Sequence, residues 1–153
     1  MSLFNFFKKP SFFSQEEQDK IVQAVRGAEM RTSGEIRVYI ESRCRYVEAL
    51  DRAINIFYGL KMDQTAERNA VLMYVAIKDH QLAIFADEGI HKKTGPEFWK
   101  NEVQHMLTHF NKADYAAGIV TVVNEIGEAL YQNFPYKSDI DKNELPDNIV
   151  FGK

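Results

Sequence analysis

Two adjacent carboxylates, Asp87 and Glu88, close an apolar run of residues (82–86) and are followed by Gly89. The run reads as a buried strand, and the glycine lets the backbone turn directly after it. Carboxylate oxygens at a strand end suit a hard divalent cation or a proton-transfer site. The simpler reading is an acidic, solvated turn. What decides between them is which other residues the fold brings to Asp87.

The elements that do so follow from the pattern. Ser14-Gln15-Glu16-Glu17 is a capping box, so a helix is expected from there to about residue 30, with Ile21, Val25 and Ala28 on its apolar stripe. Thr32-Ser33-Gly34 ends it. Residues 35–41 alternate: Ile36, Val38 and Ile40 face one way, and Glu35, Arg37, Tyr39 and Glu41 the other, as in a half-buried strand. A helix is expected over residues 47–61. Residues 70–77 are apolar on both parities, the mark of a strand covered on both faces. Lys78-Asp79-His80-Gln81 is short and polar, so residues 82–86 return as the second arm of a hairpin. Two more helices are expected, one beginning at Pro96 with Trp99, Val103, Met106, Leu107 and Phe110, the other near Asp114 and ending before Pro135.

Strand, helix, strand implies a parallel pair with a right-handed crossover, and the hairpin sets the third strand antiparallel to the second. The expected fold is therefore α/β: a mixed β-sheet, a parallel βαβ unit plus an antiparallel hairpin, sandwiched by helices as a Rossmann-like variant. This topology puts the start of the first strand, the start of the second and the end of the third at one end of the sheet. Glu35, Asn69 and Asp87, with Glu88 beside them, then become a candidate ligand set for Ca²⁺ or Mg²⁺. The alternative is a hydrogen-bonded knot, in which Arg68 neutralises the acids and Asn69 ties the loops.

The same residues carry a family likeness. Ser33-Gly34-Glu35-Ile36-Arg37-Val38-Tyr39-Ile40, an amphipathic helix, Arg68-Asn69-Ala70-Val71-Leu72-Met73-Tyr74-Val75 and the hairpin into Asp87-Glu88-Gly89-Ile90 resemble the TPM domain over residues 14–135. That family is named for a thylakoid-lumen phosphatase, a photosystem II repair protein and a receptor-modulating membrane protein. Phe98-Trp99, Gly118, Gly127 and Phe134-Pro135 resemble a bacterial branch. The resemblance implies a mixed sheet with helices on both faces. It also implies divalent-cation binding, calcium in particular, in some members, and acid phosphatase activity in plant members. Carried across, Glu35, Asn69 and Asp87 match the polar cluster at the strand ends, and Glu88 is a weaker match. Plant members have a Gly-Tyr-Gly turn with a following Glu where this chain reads Ala86-Asp87-Glu88-Gly89.

The chain of 153 residues has the length of one domain, and its net charge of −3 with no basic stripe argues against nucleic acid. Its organisation reads as an aromatic segment (1–13), the TPM-like domain (14–137) and a loosely held polar tail (138–153). Five phenylalanines fall in the first thirteen residues; docking onto the protein's own surface is the favoured reading, with contact to a membrane or a protein partner as the alternatives. That segment lacks the layout of a signal peptide, and no run reaches the roughly 18 apolar residues of a membrane span, so a cytoplasmic location is expected. Cys44 is the single cysteine, which excludes an internal disulfide and a cysteine zinc site.

Other chemistry is weaker. His105 and His109 lie four apart on a helix, with Glu102 three before His105, a spacing able to share a metal; no second Glu-x-x-His exists to build a dimetal bundle, so a surface or packing role is expected. Arg43 and Arg45 flank Cys44 at a helix start, without the glycine-rich loop of a phosphate site. The reading favoured by the residues is a divalent-cation-binding interaction module; the alternative is a metal-assisted, acid phosphatase-like hydrolase in which Glu35 or Asp87 holds the cation that activates water, whereas a phosphoenzyme route would have Asp87 as its only candidate nucleophile.

Overall fold

The computed structural model describes residues 12–45, 47–136 and 149–152, excluding the side chain of Phe151. It contains α1 (Gln15–Glu29), β1 (Glu35–Glu41), α2 (Ala49–Gly59), a single 3₁₀ turn (Met62–Gln64), β2 (Ala70–Ala76), β3 (Gln81–Ala86), α3 (Glu88–Thr94), α4 (Pro96–Asn111), α5 (Tyr115–Asn133) and β4 (Val150–Phe151). The sheet order is β3-β2-β1-β4. β1 runs parallel to β2 and to β4, and β3 is antiparallel to β2. This is the mixed α/β sandwich expected from the pattern.

The pleat divides the core in two. Ile36, Val38, Ile40, Val71, Met73, Val75, Leu82, Ile84 and Ala86 face a layer of α1, α4 and α5, meeting Ile21, Val25, Met106, Phe110, Ile119 and Ile126. Leu72, Tyr74, Ala76 and Ala83 face the opposite way, onto Ala53, Ile56 and Phe57 of α2 and Met62. The capping box at the start of α1 is formed: Ser14 Oγ accepts from Glu17 N (3.1 Å), and Ser14 N donates to Glu17 Oε1 (2.9 Å).

Three details differ from the sequence reading. β1 is not half-buried, since Glu35, Arg37 and Glu41 on its polar parity are all buried. A charged side chain survives there only with a partner, and Glu41 has one: Arg52 Nε and Nη2 each donate to its carboxylate at 2.9 Å, and the Tyr74 hydroxyl donates to it as well. Second, the acidic turn after β3 is the first turn of α3. Third, the region read as a loose tail supplies β4 at its far end, with Tyr39 opposite Val150 and Gly152 N donating to Ile40 O (2.7 Å). A Cβ at Gly152 would lie 2.7 Å from Glu41 Oε1, so this strand needs a glycine to pass over the buried carboxylate. The aromatic segment and residues 138–148 of the tail lie outside the described residues, apart from Phe12 and the buried Phe13.

Candidate functional site

The strand register assembles the end of the sheet named by the sequence. Glu35 stands opposite Ala70, and Asp87 N donates to Ala70 O (2.9 Å), which places Glu35, Ala70 and Asp87 in one row across three strands. Asn69 precedes Ala70, and its backbone carbonyl accepts from Glu35 N (3.4 Å). The loop before β1 is tied down by Ser33 N, which donates to Phe134 O at the end of α5 (3.0 Å).

Asp87 is 2% exposed and engaged through both oxygens. Arg68 Nε donates to Oδ2 (2.7 Å), and Oδ1 accepts from Arg68 Nη2 (2.8 Å) and from the Glu88 amide (2.8 Å). The carboxylate is thus a bidentate guanidinium partner and the N-cap of α3 at once. The hydrogen bonds that Arg68 donates to Asp87 raise its own pKa further. Arg68 has a left-handed backbone (φ 53°), and its carbonyl accepts from Gly89 N (2.8 Å). Gly89 is the residue this approach demands, because a Cβ there would sit 2.1 Å from Glu67 O.

The remaining predicted ligands divide. Glu88 is exposed, 3.8 Å from Arg68 Nη1. The charges of Asp87, Glu88 and Asp63 all act on that one guanidinium. Asn69 is 1% exposed; its Nδ2 donates to Ser33 Oγ (3.2 Å), which donates to Glu67 Oε2 (2.7 Å), and its amide donates to Thr65 Oγ1 (3.2 Å). Asn69 Oδ1 is buried without a hydrogen-bond partner among the described residues. Glu35 is buried and acts on Arg37, whose pKa is lowered by burial against the opposing charges of Glu29 and Glu35. The structure therefore brings Asp87 and Glu88 onto Arg68, leaves Asn69 beside them with a spare oxygen, and engages Glu35 with Arg37. The hard oxygens fit a divalent cation in kind, but the Asp87 oxygens are held by Arg68.

A family model described as the TPM domain matches residues 7–129. The chain belongs to the TPM domain family. Among solved structures this TPM domain is similar to the BA42 protein of the psychrophilic bacterium Bizionia argentinensis, at 38% identity and TM-score 0.86, covering 95% of this chain and 99% of that one. It shares its fold with the N-terminal domain of the cg2496 protein of Corynebacterium glutamicum, at 12% identity and TM-score 0.58, covering 80% and 84%. Comparison with curated proteins returns no match. No helix among the described residues is long and apolar enough to cross a membrane.

The TPM domain carries a second carboxylate cluster that sequence reasoning saw only in part. Glu102 and His105 of α4 meet Glu125 of α5: His105 Nδ1 lies 2.8 Å from Glu125 Oε1 and 3.9 Å from Glu102 Oε2. Burial first, then the hydrogen bond and charge of Glu125, push the Glu102 carboxyl up to about 8. Desolvation would raise Glu125, but the hydrogen bonds of Glu102 and His105 outweigh it and lower its pKa. Glu102 thus holds a proton at neutral pH and shares it with Glu125. The missed partner was legible in principle. Glu102 and Glu125 lie about equally far from the short connection around Ala113, so an antiparallel helix pair must set them side by side.

Other sequence candidates are quiet. Arg43 pairs with Asp79 (2.9 Å), and Cys44 is buried with its thiol donating to Val47 O (3.3 Å). A groove of about 1120 Å³ opens along β3 between the start of α2 and α4, and none of Glu35, Asn69, Asp87 or Glu88 lines it.

Proposed function

We propose that this TPM domain is a divalent-cation-binding interaction module that takes Ca²⁺ or Mg²⁺ at the strand ends and performs no chemistry of its own. The observation that carries the reading is Asn69 Oδ1, a buried carbonyl oxygen without a hydrogen-bond partner among the described residues, on the residue that follows Arg68 in the chain. Leaving such an atom unsatisfied costs about 1–3 kcal/mol, and a cation or its water shell would recover it. Asn69 and Glu88 would supply oxygens directly. Asp87 would join once Arg68 gives way, so Arg68 acts as a built-in competitor for the ion. Family membership supports the reading, since cation binding is what the resemblance implies for some members. Hydrolysis through a phosphoenzyme is less well supported: both oxygens of its only candidate nucleophile, Asp87, are already engaged.

The test is an amide NMR titration of the metal-free protein with calcium and magnesium. Saturable shifts are expected at residues 33–35, 67–69 and 87–89. Arg68→Gln should tighten binding severalfold by removing the competitor, and Asp87→Asn should weaken it by removing ligand charge. Absence of shifts at millimolar cation would reduce the cluster to a structural knot.

A further inference from the structure

We propose that Glu102, His105 and Glu125 form a second metal site, for a divalent ion of the zinc class, bridging α4 and α5. It shares no residue with the strand-end cluster, so either can fail without the other.

One donor atom from each of the three residues falls within 4.8 Å of the others. The spacing is that of a site in need of a small adjustment. Ligands about 2.1 Å from a tetrahedral ion stand roughly 3.4 Å apart. The His105–Glu125 separation of 2.8 Å and the His105–Glu102 separation of 3.9 Å bracket that value. Glu102 and His105 are fixed relative to each other by one helical turn, and Glu125 by the pairing of α4 with α5.

Proximity of acids alone would not make a site, and the independent sign is Glu102. The residue is 4% exposed, its carboxylate lies against Glu125 and His105, and its Oε1 is buried without a hydrogen-bond partner among the described residues. Buried polar atoms are nearly always satisfied, and the only species available to this carboxyl is the proton it shares with Glu125, whose place a metal ion would take. Among the described residues the only ion-pair partner of Glu102 or Glu125 is His105, so neither a lysine nor an arginine occupies the place of the cation. His105 and Glu125 are partly exposed above Glu102, which leaves a path inward from solvent. An imidazole with two carboxylates selects zinc and similar transition ions over calcium, and water would complete the shell.

Zinc chloride titrated into the metal-stripped full chain tests the assignment, read by calorimetry and by amide and imidazole nitrogen NMR. One zinc per chain should shift the His105 ring nitrogens and the amides around Glu102 and Glu125. His105→Gln and Glu125→Gln, at partly exposed positions and checked for folding by their amide spectra, should each weaken binding at least tenfold. Calcium at the same concentration should leave the His105 ring unmoved. Zinc that leaves these resonances in place would overturn the proposal. So would unchanged affinity in both variants, which would assign the ion to the other histidines.

Discussion

The strand ends and the α4–α5 helix pair each bury a carboxylate, and they neutralise it in opposite ways. Asp87 is met by a guanidinium in a two-bonded pair and by the amide of the helix it caps. Glu102 is met by another acid and keeps a proton. The first solution ties the carboxylate to the framework, since Arg68 can give way only to another cation without stranding a buried charge. The second leaves the neutralising species exchangeable, because a proton can be lost to solvent or replaced by an ion without moving the backbone. A buried acid is therefore better judged by what neutralises it than by how buried it is.

The contrast can be broken at its strongest point first. Asp87→Ala removes the Arg68 pair and the α3 cap together and should lower stability by about 3 kcal/mol in urea denaturation. A loss under 1 kcal/mol would show that the pair is not part of the framework. Next comes the pH dependence of Glu102. Its folded pKa lies above its unfolded one, so the folded state holds a proton that the unfolded chain has released. Stability should then fall as pH rises from about 4.5 to about 8. Glu102→Gln should flatten that slope and be more stable than the parent at pH 8, by on the order of 2 kcal/mol. A slope unchanged in the variant would mean that the proton resides elsewhere. The smallest effect is His105→Gln in the metal-free protein: it removes a half-exposed ion pair and should shift stability by only a few tenths of a kcal/mol. A large loss there would mean that His105 holds the helix pair together and is no free ligand.

Much of this was legible in the chain. The unbroken apolar run of β2 announced a central strand, Ser14 and Glu17 announced the start of α1, and the strand–helix–strand order with its hairpin put Glu35, Asn69 and Asp87 at one end of the sheet. The burial of the polar parity of β1 was not legible. Alternation reports a polar face, yet Glu41 is buried because Arg52 and Tyr74 reach it from elements that follow in the chain. The start of α3 was hidden for a related reason. Asp87-Glu88-Gly89 satisfies the local chemistry of a turn and of a helix N-terminus alike, and only Arg68 and the backbone beneath Gly89 select the helix. Glu125 escaped because its partners lie on another helix, where spacing along one segment carries no signal.

The two-residue strand β4 bears on how the molecule is made. Its partner, β1, emerges from the ribosome early, while Val150 and Phe151 lie at the far end of the described chain. During synthesis the β1 edge must wait with its backbone groups unpaired, a template onto which another nascent chain can add. The closing contact is therefore also a timer: until it forms, the sheet is open to the wrong neighbour, and slowing its arrival lengthens that window without changing any other contact in the fold.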